Sequence, residues 1–156
     1  MLAHATSPFI RAETVADALR KVVSGEYDSA FSAEKIQTFA WYEGRPLNYS
    51  PENIPRTQTI EPVYIETSAF FIFPRALWTG RHRRIGDRPY MAVVDRIEGL
   101  DIDYPEDFTM ARSSPQAATC PNKFRRICRY IRRYEKGGIS IPPFRFHRAA
   151  HSGFRS

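Results

Sequence analysis

The chain has 156 residues, with 23 Lys or Arg against 17 Asp or Glu for a formal net charge of +6, a length that suits one domain with a single core. Its longest apolar runs are too short to span a bilayer, and Met1 is not followed by a basic and then apolar leader, so the expectation is a cytoplasmic protein with no transmembrane segment. Two cysteines, Cys120 and Cys128, exclude a disulfide framework and lack zinc-site spacing.

Helical spacing of Val15, Ala18, Leu19 and Val22, closed by Gly25, predicts a helix over residues 12–23. YDSAFS (27–32) reads as a buried strand. TFAWY (38–42), the turn Glu43-Gly44 and RPLNY (45–49) predict a hairpin, because a short polar turn with glycine joins two aromatic-rich runs. SPENIPRTQ (50–58) is a loop by its prolines. PVYIE (62–66) and AFFIF (69–73) read as two extended segments, followed by a helical turn from Pro74 to Trp78. RHRRIGD (81–87) is a basic loop, PYMAVV (89–94) and LDID (100–103) are expected strands, and EDFTMAR (106–112) an expected helix. This order favours an α/β class with a mixed sheet.

Charge divides the chain unevenly. Residues 1–110 hold 12 Lys/Arg and 16 Asp/Glu (12 − 16 = −4), whereas residues 111–156 hold 11 and 1 (11 − 1 = +10). The expectation is a globular part over residues 1–111 and a basic tail over 112–156. Within the tail, residues 120–138 place Phe124, Ile127, Cys128, Ile131 and Tyr134 on one helical face, with arginines mostly off it. Two readings stand for that helix: docking on its own domain, or attaching to RNA or an acidic membrane surface. The proline-containing, aperiodic segment beyond Gly138 is expected to be disordered.

The chemistry is sought in LDID. On an extended segment, residues i and i+2 share a face, so Asp101 and Asp103 project together while Leu100 and Ile102 face the other way. At a separation of roughly 6–7 Å and an effective dielectric of about 20, their repulsion is about 2–3 kcal/mol. One reading is a solvated edge strand. The other, favoured because Asp is depleted from strands, is an oxygen-only site for Mg²⁺, which takes one or two carboxylates plus substrate phosphates. Glu106 and Asp107 are read as acids favouring the start of the next helix. Arg56 and Lys35 read as surface cations unless the site handles an anionic substrate. The eight glycines form no G-x-G-x-x-G or P-loop pattern.

Four stretches, in order, carry a resemblance. ATSPFIR (5–11), KIQTFAWYEGRPLNYSPENIPRTQ (35–58), YIETSAFFIF (64–73) and IEGLDIDYPEDFTMA (97–111) resemble segments of the acylneuraminate cytidylyltransferases, which activate sialic-acid-type sugars as CMP conjugates. The resemblance implies part of a Rossmann-like nucleotide-sugar transferase fold with a protruding hairpin. It implies that Asp101 and Asp103 hold Mg²⁺, that Arg56 and Lys35 act on the phosphates or the acidic sugar, with Gln58 in the same P-R-x-Q loop, and that CTP and an acylneuraminate-type sugar are the substrates. It also implies a homodimer through residues 38–49. Thr67-Ser68 stands where the family has Asn-Gly, and His4 where many members have glutamine. The family's Gly-rich CTP loop comes before T-S-P, yet here Thr6 is close to Met1. A C-terminal portion, truncated and inactive alone, is therefore expected. The rival reading is a non-enzymatic protein binding polyanions through its tail.

Overall fold

A computed structural model describes residues 1–119 of the chain. The amphipathic helix expected over 120–138, and nearly all of the basic tail, lie outside the described residues. Six strands and four helices follow one another as β1 (Leu2–Ala3), α1 (Ala12–Val23), β2 (Ser29–Ile36), β3 (Trp41–Tyr42), β4 (Arg45–Pro46), β5 (Val63–Ile72), α2 (Arg75–Arg81), β6 (Pro89–Val94), α3 (Pro105–Ser113) and the single turn α4 (Gln116–Thr119). The main sheet is mixed, in the order β1-β5-β2-β6, with β2 and β6 parallel and the other pairings antiparallel. An α/β architecture with a mixed sheet is therefore observed.

Helix α1 forms where its apolar period predicts it, and buries that stripe on the sheet. Ala18 lies with Ala30, Phe70, Ile72 and Ala92 in one core, flanked by Val15 and Val22. Small residues at Ala18, Ala30 and Ala92 bring helix and sheet close, and the wholly buried Phe70 contributes roughly 1.5–3 kcal/mol by leaving water. A second cluster gathers Phe9, Ile102 and Ala111, with Leu100, Phe108 and Ala117 packed against it. It ties α3 and α4 to the segment after β1.

Four expectations need correction. The strand expected over 27–32 begins at Ser29 and continues to Ile36, because both of its edges are paired, by β5 and by β6. The two segments 62–66 and 69–73 are one strand, β5, interrupted by a bulge. Between the pairs Phe31↔Phe71 and Ala33↔Glu66, β5 advances five residues (71 − 66) while β2 advances two (33 − 31). The excess chain turns back on Ser32, whose buried hydroxyl oxygen accepts from the Thr67 hydroxyl (2.8 Å) and the Phe70 N–H (3.3 Å). The turn expected from Pro74 to Trp78 continues to Arg81, with Gly80 inside the helix, and ends at His82 in the left-handed conformation. Finally, LDID forms no strand: its Ile102 N–H bonds to Thr6 O (3.1 Å), a loop carbonyl.

Ser68, at the bulge, has φ +56°, a conformation that costs a residue with a Cβ about 1 kcal/mol or more. Ser68→Gly is expected to stabilise the fold by about 0.5–1 kcal/mol in urea denaturation, part of the gain being offset by glycine's greater unfolded-state freedom. A loss of stability would show that the Ser68 hydroxyl, 3.4 Å from Glu66, matters more than the backbone.

The hairpin forms as predicted, though its paired strands are only two residues each. Glu43 (φ +49°) and Gly44 (φ +75°) make the tight turn that matches strand twist. Asn48 pins its base, accepting from Ala40 N–H and donating to the carbonyls of Thr38 and Glu61. Trp41, Tyr42 and Leu47 remain 61%, 64% and 55% exposed.

Candidate functional site

Chain direction sets the site. β1, β2 and β6 all run the same way, so the segments after β1 and β6 leave at one end of the sheet. After β6, residues 95–103 pass over the bulge of β5 to meet the segment after β1. Gly99 allows the passage: a Cβ there would lie 2.9 Å from Thr67 Cγ2 and 3.1 Å from Val94 Cγ2. The crossing is anchored by Glu98, whose side chain is 2% exposed. Its Oε1 accepts from the Arg11 N–H (3.1 Å) and the Thr14 hydroxyl (2.5 Å), so it satisfies the start of α1 from outside the helix. Oε2 lies against the Arg11 guanidinium as an ion pair without a well-directed hydrogen bond.

Beyond Glu98, the side chains alternate as the sequence predicts even though no strand forms. Ile102 is buried among Phe9 and Ala111, while Asp101 is half-buried and Asp103 exposed. Asp101 Oδ1 accepts from the Ser7 hydroxyl (3.3 Å) and from the Ile102 N–H (3.1 Å). Asp107 Oδ2 accepts from the N–H groups of Asp103 (3.2 Å) and Tyr104 (2.9 Å), fixing the backbone as it enters α3. Asp107 is thus the helix-start acid its position suggests.

The Asp103 carboxyl is pushed above the ordinary carboxylate range. The burial it has comes first among the causes, although the residue stays largely exposed; the negative charges of Asp101 and Asp107 follow, and His4 pulls the other way. Asp103 therefore feels the charge of Asp101. Among the described residues, no ion pair joins either to a Lys or Arg. Two carboxylates without a Lys or Arg partner among the described residues, one with both of its hydrogen bonds on Oδ1, suit a hard divalent ion completed by water and phosphate oxygens. No group of three or more His, Cys, Asp or Glu able to hold a metal occurs among the described residues.

The other expected site residues stand apart. Lys35 is exposed in β2 opposite Tyr64, and Arg56 and Gln58 are exposed in the loop after β4. The Arg56 carbonyl accepts from Thr59 and Ile60, a turn anchored by buried Ile60. No hydrogen bond or ion pair among the described residues links these three to Asp101 or Asp103. Two residues not expected to bind metal or substrate lie by the aspartates: Ser7, which donates to Asp101 Oδ1 (3.3 Å), and His4, whose charge acts on Asp103. The His4 ring is 6.3 Å from the ring of Phe71, and the Arg84 guanidinium lies 4.4 Å over that same ring. Only the run RHRR hinted at Arg84, and it did not say which arginine would turn inward.

Compared with models of protein families, the chain matches none, and no curated protein matches it. Among the described residues, no helix is long and apolar enough to cross a membrane.

Proposed function

We propose that the chain is part of a nucleotidyltransferase similar to the acylneuraminate cytidylyltransferases, with a Rossmann-like sheet and with CTP and an acidic sugar as substrates. The carrying observation is the aspartate pair. Asp101 and Asp103 are held side by side on a loop at the end where parallel strands β2 and β6 terminate, which is where open α/β sheets place ligands. When bound there, Mg²⁺ would neutralise phosphate charge and polarise the α-phosphorus toward attack.

The chain's own residues do the rest. Ser7 and the Ile102 N–H orient Asp101, and Asp107 holds the backbone at Asp103, so the two carboxylates need little reorganisation to accept a cation. Lys35, Arg56 and Gln58 are exposed residues, free to meet phosphate or sugar carboxylate. Trp41, Tyr42 and Leu47 on the hairpin offer an apolar surface to a second copy.

The test is metal binding by the purified chain. Mn²⁺ relaxation is expected to show weak binding that falls at least tenfold in Asp101→Asn and in Asp103→Asn, since each removes one of two charged ligands. Equal Mn²⁺ binding by all three proteins would refute the site.

A further inference from the structure

Basic charge outside the tail is gathered in one place. Residues 75–88 hold five arginines and one acid (5 − 1 = +4), whereas residues 1–74 and 89–110 together hold 7 Lys/Arg and 15 Asp/Glu (7 − 15 = −8). The basic stretch is α2 and the loop after it, and the fold fastens that loop to the sheet. Asp28 accepts from the N–H groups of Asp87 (2.7 Å) and Arg88 (2.8 Å), and Ser29 Oγ accepts from Gly86 N–H (2.8 Å). A Cβ on Gly86 would lie 2.3 Å from Asp28 Oδ1, so the close approach needs glycine. The cations are therefore presented on a fixed surface, with little ordering left to be done on binding.

Little of that charge is neutralised. Arg81 and Arg83 share a single carboxylate, Asp87, and among the described residues Arg75, Arg84 and Arg88 form no ion pair. Arg81 engages Asp87 through Nη1 alone, which leaves Nη2 to other acceptors. Trp78 stands among these cations. Arg75 lies three residues before it and His82 four after it, so the three occupy one helical face. The indole is 47% exposed; it meets the His82 ring edge-on at 6.2 Å and the Phe73 ring at 6.2 Å, two contacts that hold it in place. No apolar stripe accompanies it, because Leu77 is half-buried and the other exposed positions of α2 are Arg75, Ala76, Thr79, Gly80 and Arg81.

We infer that α2 and the loop after it form a binding surface for single-stranded nucleic acid, in which one base stacks on Trp78 while Arg75 and Arg81 contact flanking phosphates. A single strand matches an indole set between cations, since its unpaired bases present π-faces and its backbone a row of negative charge. A duplex keeps its base faces stacked inside, and an acidic bilayer is bound through an apolar stripe that this surface lacks. The inference goes beyond the transferase reading, and none of its residues belongs to the aspartate site.

Tryptophan fluorescence of the full chain tests it, because the two tryptophans are Trp41 and Trp78 and the basic tail contains none. In Trp41→Phe, which leaves Trp78 as the sole reporter, a short oligothymidylate is expected to quench the emission. Heparin, a polyanion without bases that the tail also attracts, should leave it unchanged. By anisotropy of the labelled oligothymidylate, Trp78→Ala should bind about tenfold more weakly. The double variant Arg75→Gln with Arg81→Gln should make the slope of log affinity against log salt shallower by about 1.4, the share of two phosphate contacts on a single strand. The inference is overturned if oligothymidylate leaves the Trp78 emission unchanged, a result that needs no variant at the surface, or if folded Trp78→Ala binds as the wild type does. Equal quenching by heparin or by duplex DNA overturns it as well, and a blue shift with phosphatidylserine vesicles would assign the surface to a membrane instead. The transferase reading is judged separately, by Mn²⁺ and the aspartate variants, so either can fail alone.

Discussion

Glu98→Ala is expected to destabilise the fold by roughly 2–4 kcal/mol, measured by urea denaturation. The carboxylate is buried and accepts from two donors at the start of α1, the Arg11 N–H and the Thr14 hydroxyl. Alanine would strand both in a site that water fills poorly, and each lost bond of this kind costs about 1–3 kcal/mol when a partner remains unsatisfied. Arg11 itself is 60% exposed and can return to solvent, which keeps the total below that for splitting a fully buried ion pair. Glu98→Gln retains the volume and one good acceptor, so about half of the loss is expected. A change below about 0.5 kcal/mol for the alanine variant would mean that the crossing segment is held by Ile102 and Gly99 rather than by Glu98. The same substitution bears on function, because Glu98 is the anchor from which residues 99–103 reach the segment after β1. In folded Glu98→Gln, weakened Mn²⁺ binding would show that the anchor positions the aspartates.

Local pattern made the regular elements legible. α1 and β6 occur where the sequence places them, since each has an uninterrupted period and clear boundaries: Gly25 after α1, and the loop residues on either side of PYMAVV. The hairpin was legible from Glu43-Gly44. What failed depended on partners distant in sequence. β1 is two residues long and exists only because Leu2 and Ala3 meet Phe71 and Phe70. β5 read as two strands because Thr67-Ser68 breaks the apolar run, and only the buried Ser32 hydroxyl reveals that the break is a bulge.

LDID shows the limit most clearly. Its alternation is real, with Ile102 inward and the aspartates outward, but alternation specifies faces and not neighbours. The segment lies against a loop and α3 rather than a strand, so it has the side-chain pattern of a strand without the ladder. The aspartate pair could therefore be read from sequence. Its surroundings could not: Ser7 is 94 residues from Asp101, and Arg84 reaches the neighbourhood of His4 only through Phe71.

The isolated chain of residues 1–156 is expected to form no CMP-sugar from CTP and N-acetylneuraminate in the presence of Mg²⁺. In-line displacement at the α-phosphorus requires the triphosphate to be held against the attacking sugar hydroxyl, and holding reactants in register accounts for a large share of such catalysis. Backbone N–H groups of a glycine-rich loop or a helix start are the usual means of gripping the phosphates. Residues 1–156 contain no such glycine pattern, and the start of α1 is already occupied by the Glu98 carboxylate. A negative group there repels phosphate from that helix start. A bound divalent ion at Asp101 and Asp103 would offset charge without aligning the triphosphate, so a rate loss of about a thousandfold or more is expected relative to an enzyme with the loop. Pyrophosphate release measured with a coupled assay should stay at background at every Mg²⁺ concentration. Robust, Mg²⁺-dependent release abolished by Asp103→Asn would place the nucleotide on residues of this chain, with exposed Lys35 and Arg56 the first to test by alanine substitution.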